Sequence, residues 1–331
     1  MTSPYVARKV GPPPPFDPEL EPALAALREQ MPRAATAEDI PLLRDFAERL
    51  RLPDERLNPR GRYDLREVTV PGPDETSEVP LLVCRPAAAH EPVGVIFHMH
   101  GGGMVIGDNR GPETARFLGW ADELGLALVS VDYRLAPEHP YPAAIEDCYA
   151  GLKWTIAHAG ELGIDPRRIV VAGASAGAGL AASLALLSRD RGGPDLAAQL
   201  LLCPMLDDRN DTPSAHQMSG LGVADRQMTD VAWTALLGDR RGTADVPPYA
   251  SPARAEDLSG LPPAFLDVGS AETFRDEVLD YAARIWQAGG QAELHVWPGG
   301  FHGFYGYAPD AAVSRQATAA RVPWLRRVLG L

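Results

Sequence analysis

One serine stands where a chain can make a serine reactive. Residues 173–177 read Gly-Ala-Ser-Ala-Gly, between the apolar, β-branched residues 169–171 and an alanine- and leucine-rich stretch. The spacing predicts a sharp strand-to-helix turn with Ser175 at its tip. Glycines two positions before and after the serine remove side chains that would clash across so tight a turn. The unpaired N–H groups and the dipole of the helix start then face any negative charge developing beside Ser175. A dinucleotide fingerprint, read from the glycines in 177–182, is rejected. Those glycines lie inside the expected helix, when they should form the turn itself.

A serine hydroxyl is a weak nucleophile until a base takes its proton. The base is expected on a late loop at the same end of the sheet. His302, on the glycine-rich loop after the strand in 293–297, fits; His295, inside that strand, fits less well. An acid must then hold the imidazole, and it should follow the preceding strand in 262–269. Glu272 falls on that loop. Asp267 is inside the strand, and Asp276 and Glu277 read as charge at a helix start. The strand before His100 runs into Gly101, Gly102 and Gly103, bare backbone of the type that completes an oxyanion hole. His100 is expected to hold that loop by hydrogen bonds, and His98 reads as a histidine satisfied within the strand.

The elements that must position these residues follow from periodicity. Apolar runs alternate with amphipathic helices from about residue 93 to 205 and again from 262 onward, which predicts a mostly parallel sheet covered on both faces. A hairpin precedes it, split by residues 71–78. Residues 206–250 hold no good strand and read as an insertion. Residues 17–31 and 36–52 read as two amphipathic helices, opening on Asp-Pro and on a Thr cap. The expected organisation is an N-terminal helical cap segment at 1–55, core at 56–205, a cap insertion at 206–250 and core again at 251–331. The order serine, acid, histidine is that of the α/β-hydrolase fold.

Bulk properties exclude other classes. The chain has 331 residues and a formal charge of −13, which disfavours a nucleic-acid partner. Its three cysteines form no C-x-x-C pair, so no metal is expected and each reads as a small buried apolar residue. No apolar run is long enough to span a membrane, and no secretory signal is read, so the expected location is the cytoplasm.

With these residues in view, the chain resembles the hormone-sensitive-lipase-like carboxylesterases, the bacterial family IV esterases, from about residue 90 to 325. The resemblance rests on His-Gly-Gly-Gly at 100–103 and the stretch 133–147. It rests also on Gly-Ala-Ser-Ala-Gly at 173–177, the stretch 249–269 and Phe-His-Gly-Phe at 301–304. It implies a serine carboxylesterase for short- to medium-chain acyl esters, with Ser175 as nucleophile, His302 as base and Glu272 as acid. The N–H groups of Ala176 and of the 101–103 loop would hold the oxyanion, with no cofactor. It also implies a cap that covers the substrate pocket, with Met104, Val105, Ile106, Met218, Leu221 and Trp233 as candidate linings, and homodimerisation. Two departures stand out. Ala174 and Ala178 replace the family's usual Asp and Gly around the serine, and Glu272 replaces its usual Asp. A lactonase, amidase or acyltransferase would use the same residues, and a non-catalytic binding protein would be expected to lack one of them.

Overall fold

The computed structural model describes residues 10–74 and 76–331. The first nine residues of the expected cap segment, and Glu75 in the hairpin loop, lie outside the described residues. Eight strands form one sheet: β1 (Tyr63–Pro71), β2 (Glu78–Pro86), β3 (Val93–Met99), β4 (Ala127–Val131), β5 (Ile164–Ala174), β6 (Ala198–Leu202), β7 (Ala264–Gly269) and β8 (Ala292–Trp297). Their spatial order is β1-β2-β4-β3-β5-β6-β7-β8. β2 runs antiparallel to β1 and β4, and the strands from β4 to β8 are parallel.

Alternation along the central strands divides the core in two. Val95, Phe97, Ile169 and Val171 belong to one buried cluster, and Ile96, Val170 and Ala172 to the other. Successive side chains in a strand point to opposite faces, so one apolar run fills both layers. The helices follow in chain order. Among the described residues three precede the sheet, α1 (Glu21–Gln30), α2 (Ile40–Glu48) and α3 (Asp54–Leu57). Four interleave with its first strands, α4 (Pro112–Leu124), α5 (Ala143–Ala157), α6 (Ala159–Leu162) and α7 (Ala176–Asp190). Two lie in the insertion, α8 (Pro213–Gln217) and α9 (Arg226–Leu237). Three accompany the last strands, α10 (Arg275–Gln287), α11 (Phe304–Tyr307) and α12 (Ala312–Leu329). The first face is covered by α5, α7 and α10, the second by α4 and α12.

Three expected boundaries move. The apolar run that was expected to continue the sheet to about residue 205 ends its strand at Leu202, because Cys203 takes a φ of 38° and turns the chain so that the Met205 N–H reaches the Ser175 carbonyl. The first helix starts at Glu21 instead of Asp17. Asp17 caps a turn, its carboxylate accepting from Glu19 N–H, while its own N–H donates to the Gly299 carbonyl. The second helix, expected over 36–52, spans only Ile40–Glu48, and the expected Thr36 cap lies ahead of it, boxed with Asp39 at a short 3-10 turn, Ala37–Asp39.

The N-terminal segment is fastened to the core on both sides. Leu20 and Leu24 lie in one buried cluster with Phe301 and Phe304, and Ile40 and Leu43 lie in the other with Met104 and Val105. Arg44 donates to the carbonyls of Val105 and Ala136, both at 2.8 Å, and pairs with Glu138. Among the described residues no helix is long and apolar enough to cross a membrane.

Candidate active site

The carboxyl ends of the adjacent parallel strands β3, β5, β6, β7 and β8 lie side by side, at the end of the sheet where open α/β folds bind ligands. Ser175 follows β5 directly and has φ 57° and ψ −124°. A non-glycine residue rarely takes that conformation, and here two glycines leave it room. A Cβ on Gly177 would lie 2.1 Å from the Met99 carbonyl oxygen, and one on Gly173 2.4 Å from the Gly177 carbonyl carbon. The Ser175 N–H donates to the Leu202 carbonyl at 2.9 Å, which ties the serine to the end of β6.

The next residue of that strand end, Cys203, brings the serine's surroundings to the histidine. Cys203 Sγ, a Glu272 carboxylate oxygen and a His302 ring nitrogen lie within 4.8 Å of one another. His302 Nδ1 is 2.6 Å from Glu272 Oε1. Glu272 is only 2% exposed, and its second oxygen accepts from the Gly269 N–H. Phe274 meets the imidazole edge-on, with ring centroids 5.2 Å apart. Burial pulls the His302 pKa down, but the Cys203 sulfur and the Glu272 carboxylate pull harder and hold it well above the ordinary histidine value. Burial also pushes the Cys203 thiol up, so it is neutral near pH 7 and the carboxylate is the effective charge.

Thiol, carboxylate and imidazole form a donor set that zinc accepts in other proteins. Here Nδ1 and the carboxylate already share a short hydrogen bond and the thiol keeps its proton. His302 and Glu272 thus form a hydrogen-bonded pair, and the Cys203 sulfur lies beside it with the Tyr305 hydroxyl 4.0 Å away.

The other acids expected near the site have different partners. Asp276 accepts from the Ser214 N–H and pairs with Arg275. Glu277 accepts from the N–H groups of Leu206 and Asp207, and its burial pushes its pKa well above the carboxylate range. Asp267 pairs with the fully buried Arg321. His295 stacks on Trp297 and pairs with Glu293.

The loop after β3 turns through three left-handed residues, Gly102 at φ 111°, Gly103 at 65° and Met104 at 61°. A Cβ on Gly102 would meet the Ile106 carbonyl oxygen at 2.2 Å. His100 holds the loop as expected, with Nδ1 2.8 Å from the Gly101 carbonyl and its ring stacked on Tyr133. Burial pushes its pKa down to about 4, so it is neutral. Gly101 departs from the expected donor set. Its single N–H donates to Glu113 Oε2 at 3.2 Å and is no longer free. The N–H groups of Gly102 and Gly103 have no hydrogen-bond partner among the described residues.

Of the expected pocket linings, Met104, Val105, Met218 and Trp233 are buried, and Ile106 and Leu221 are half-buried. Trp233 is fully buried, and Met104 and Val105 join it in one core cluster, so these three are packing residues at least as much as linings. Two residues by the site carried no sequence signal. Cys203 read as a small buried apolar residue, and Glu113 was not singled out.

A family model described as the α/β-hydrolase fold matches residues 96–306. The chain belongs to this family. Within it, the chain is an HSL-like carboxylic ester hydrolase, and its relatives carry esterase names. Carboxylesterase NlhH of Mycobacterium tuberculosis is 36% identical over 99% of both chains. Among solved structures, a bacterial heroin esterase is 39% identical, with a TM-score of 0.85 over 95% of this chain and 98% of that one. Esterase LipW from Mycobacterium marinum is 33% identical, with a TM-score of 0.82 over 96% and 98%. The α/β-hydrolase architecture of these esterases is therefore shared along nearly the whole chain, the N-terminal helices included.

Proposed function

We propose that Ser175, His302 and Glu272 are the catalytic triad of a serine carboxylesterase for short- to medium-chain acyl esters. The observation that carries this reading is the buried 2.6 Å contact between His302 Nδ1 and Glu272 at the same sheet end as the strained Ser175. Ser175 Oγ attacks the ester carbonyl while His302 Nε2 takes its proton. Glu272 holds Nδ1–H and stabilises the imidazolium that forms. The N–H groups of Gly102, Gly103 and Ala176 receive the oxyanion. The tetrahedral intermediate collapses, the C–O bond to the alcohol breaks, and His302 returns its proton to the leaving oxygen. Water, deprotonated by His302, then attacks the acyl-serine, the bond to Ser175 Oγ breaks, His302 returns the proton to Oγ, and the carboxylic acid leaves.

The limit on chain length is supported by the cap. Ala232 of α9 lies 2.9 Å from where a Gly103 Cβ would stand, so the insertion closes down directly on the oxyanion loop. The reading includes 1–55 and 206–250 as the two cap segments. It also includes pairing of two copies along the outer edge of β8, the last strand of the sheet, where Val296 is exposed. Sedimentation of the purified chain tests the pairing.

Hydrolysis of p-nitrophenyl acetate, butyrate and decanoate, with Ser175→Ala alongside, tests the chemistry. Activity that fades with acyl length and vanishes in the variant is expected. A folded Ser175→Ala protein that keeps its activity would remove the proposal.

A further inference from the structure

Glu113 lies in the first turn of α4, outside the set of groups that react, and joins the two loops on which the reaction depends. Its Oε1 accepts from the Ala174 N–H at 3.1 Å, and its Oε2 from the Gly101 N–H at 3.2 Å. Ala174 immediately precedes the nucleophile, and Gly101 immediately precedes the free N–H groups of Gly102 and Gly103. One carboxylate therefore spans the elbow and the oxyanion loop. The two loops touch at this point. A Cβ on Gly101 would lie 3.0 Å from Glu113 Oε2, 3.1 Å from the Ala174 carbonyl oxygen and 3.5 Å from Ser175 Cβ.

The carboxylate is itself held. His98 Nε2 is 3.1 Å from Oε1, and His98 Nδ1 is 2.8 Å from Ser130 Oγ. The His98 ring packs on Phe117, centroid to centroid 4.5 Å. Burial pushes the Glu113 pKa up, but the His98 hydrogen bond and charge outweigh it and the pKa falls below the ordinary value. The group is thus an anion with both oxygens accepting. Ala174, which cannot hydrogen bond through its side chain, stands where the family resemblance leads one to expect an acid, and Glu113 reaches the same backbone from another element.

We propose that Glu113 is a positioning residue for ester hydrolysis, clamping the Ala174 and Gly101 amides so that Ser175 and the Gly102–Gly103 donors keep a fixed separation. The clamp also takes up the Gly101 N–H, leaving those of Gly102 and Gly103 free. The proposal rests on the reading of Ser175 as nucleophile and of that loop as oxyanion hole. A separation set this way matters most when the carbonyl oxygen becomes an oxyanion and moves toward its donors.

The test is Glu113→Gln, which keeps the shape but has one accepting oxygen. With that oxygen kept toward Ala174 and His98, its NH2 would face the Gly101 N–H, donor against donor. Expected is a 10- to 100-fold loss of kcat on p-nitrophenyl acetate with KM changed less than threefold. Affinity for a boronic acid, which forms a tetrahedral adduct with the serine, should fall in parallel with kcat/KM, while affinity for a non-reacting product acid stays within threefold. A folded Glu113→Gln protein with kcat within threefold of the parent would overturn the proposal. So would equal losses of boronate and product affinity, which a merely structural role produces. Should that variant not fold, His98→Gln carries the test by loosening the clamp without touching either amide. A threefold or greater fall in kcat at unchanged KM is then expected, and an unchanged kcat overturns the proposal. Retained activity in Ser175→Ala would instead condemn the nucleophile reading, whatever Glu113 does.

Discussion

Glu272 reaches His302 Nδ1 at 2.6 Å, whereas Asp276, four residues further on, turns away to the Ser214 N–H and Arg275. Two acids near the end of one strand thus have separate partners. Replacing Glu272 by Gln should cost about 10³–10⁴ in kcat on p-nitrophenyl acetate, the scale on which the acid of such a triad acts. Asp276→Asn should cost less than about tenfold, because that carboxylate bonds the α8 start and not the imidazole. The opposite ranking would reassign the acid.

The His302 pKa supplies a second prediction with a definite sign. The base acts only when neutral, so kcat/KM should fall as pH drops through the raised pKa, with an acid limb above the ordinary value of about 6.5. The groups facing the imidazole are Glu272, Cys203 and, more remotely, Tyr307. With the thiol and phenol neutral, removing the Glu272 charge should move the limb down. Stability carries the reverse sign. A histidine whose pKa is raised by folding contributes stability that is complete below about pH 6.5 and is lost as pH rises through the folded value. A pH–rate profile of the parent and Glu272→Gln checks the first claim. Urea midpoints between pH 6 and 9 check the second.

Much of this site was legible because its chemistry is local in sequence. The spacing 173–177 dictates a turn that only glycines permit, and the contacts a Cβ would make at Gly173 and Gly177 bear that out. The loops carrying Glu272 and His302 follow strands whose alternation is visible in the sequence. Glu113 was not legible, because its role depends on which face of α4 meets β3 and β5, a relation between elements far apart in the chain. Gly101 misled for a related reason. Its sequence context cannot say which glycine N–H is consumed by a partner elsewhere. Cys203 was hidden by composition alone, since a buried cysteine looks the same beside a histidine as in any core.

Backbone strain at Ser175 gives a third prediction. Its φ of 57° with ψ of −124° costs a side chain on the order of 1–3 kcal/mol. Glycine accepts that conformation but loses roughly 0.5–1 kcal/mol of chain entropy on folding. Ser175→Gly should therefore be inactive yet more stable than the parent by ~1 kcal/mol, and more stable than Ser175→Ala, which keeps a Cβ. Melting temperatures of the three proteins decide it, and an equal or lower value for the glycine variant would mean the turn stores no strain.

The N-terminal segment was expected to belong to a cap over the substrate pocket, and its contacts add a second role. Leu20 is fully buried in a cluster with Phe301, the residue before His302, and the Asp17 N–H bonds the Gly299 carbonyl on the same loop. Phe16 adds an edge-on contact to Phe301, with centroids 6.4 Å apart. The segment thus braces the loop that carries His302. Leu20→Ala should cost about 2–5 kcal/mol, as large-to-small changes in packed cores do, and should lower kcat as the His302 loop relaxes. Removing residues 1–30 deletes Leu24 as well and should lower kcat on acetate and decanoate alike, on top of any change in their ratio. Thermal melts together with kcat on the two esters separate the roles. A truncated protein with parental kcat on acetate and an altered decanoate ratio would make the segment a cap alone. Loss on both esters would make it part of the scaffold that holds His302 against Glu272.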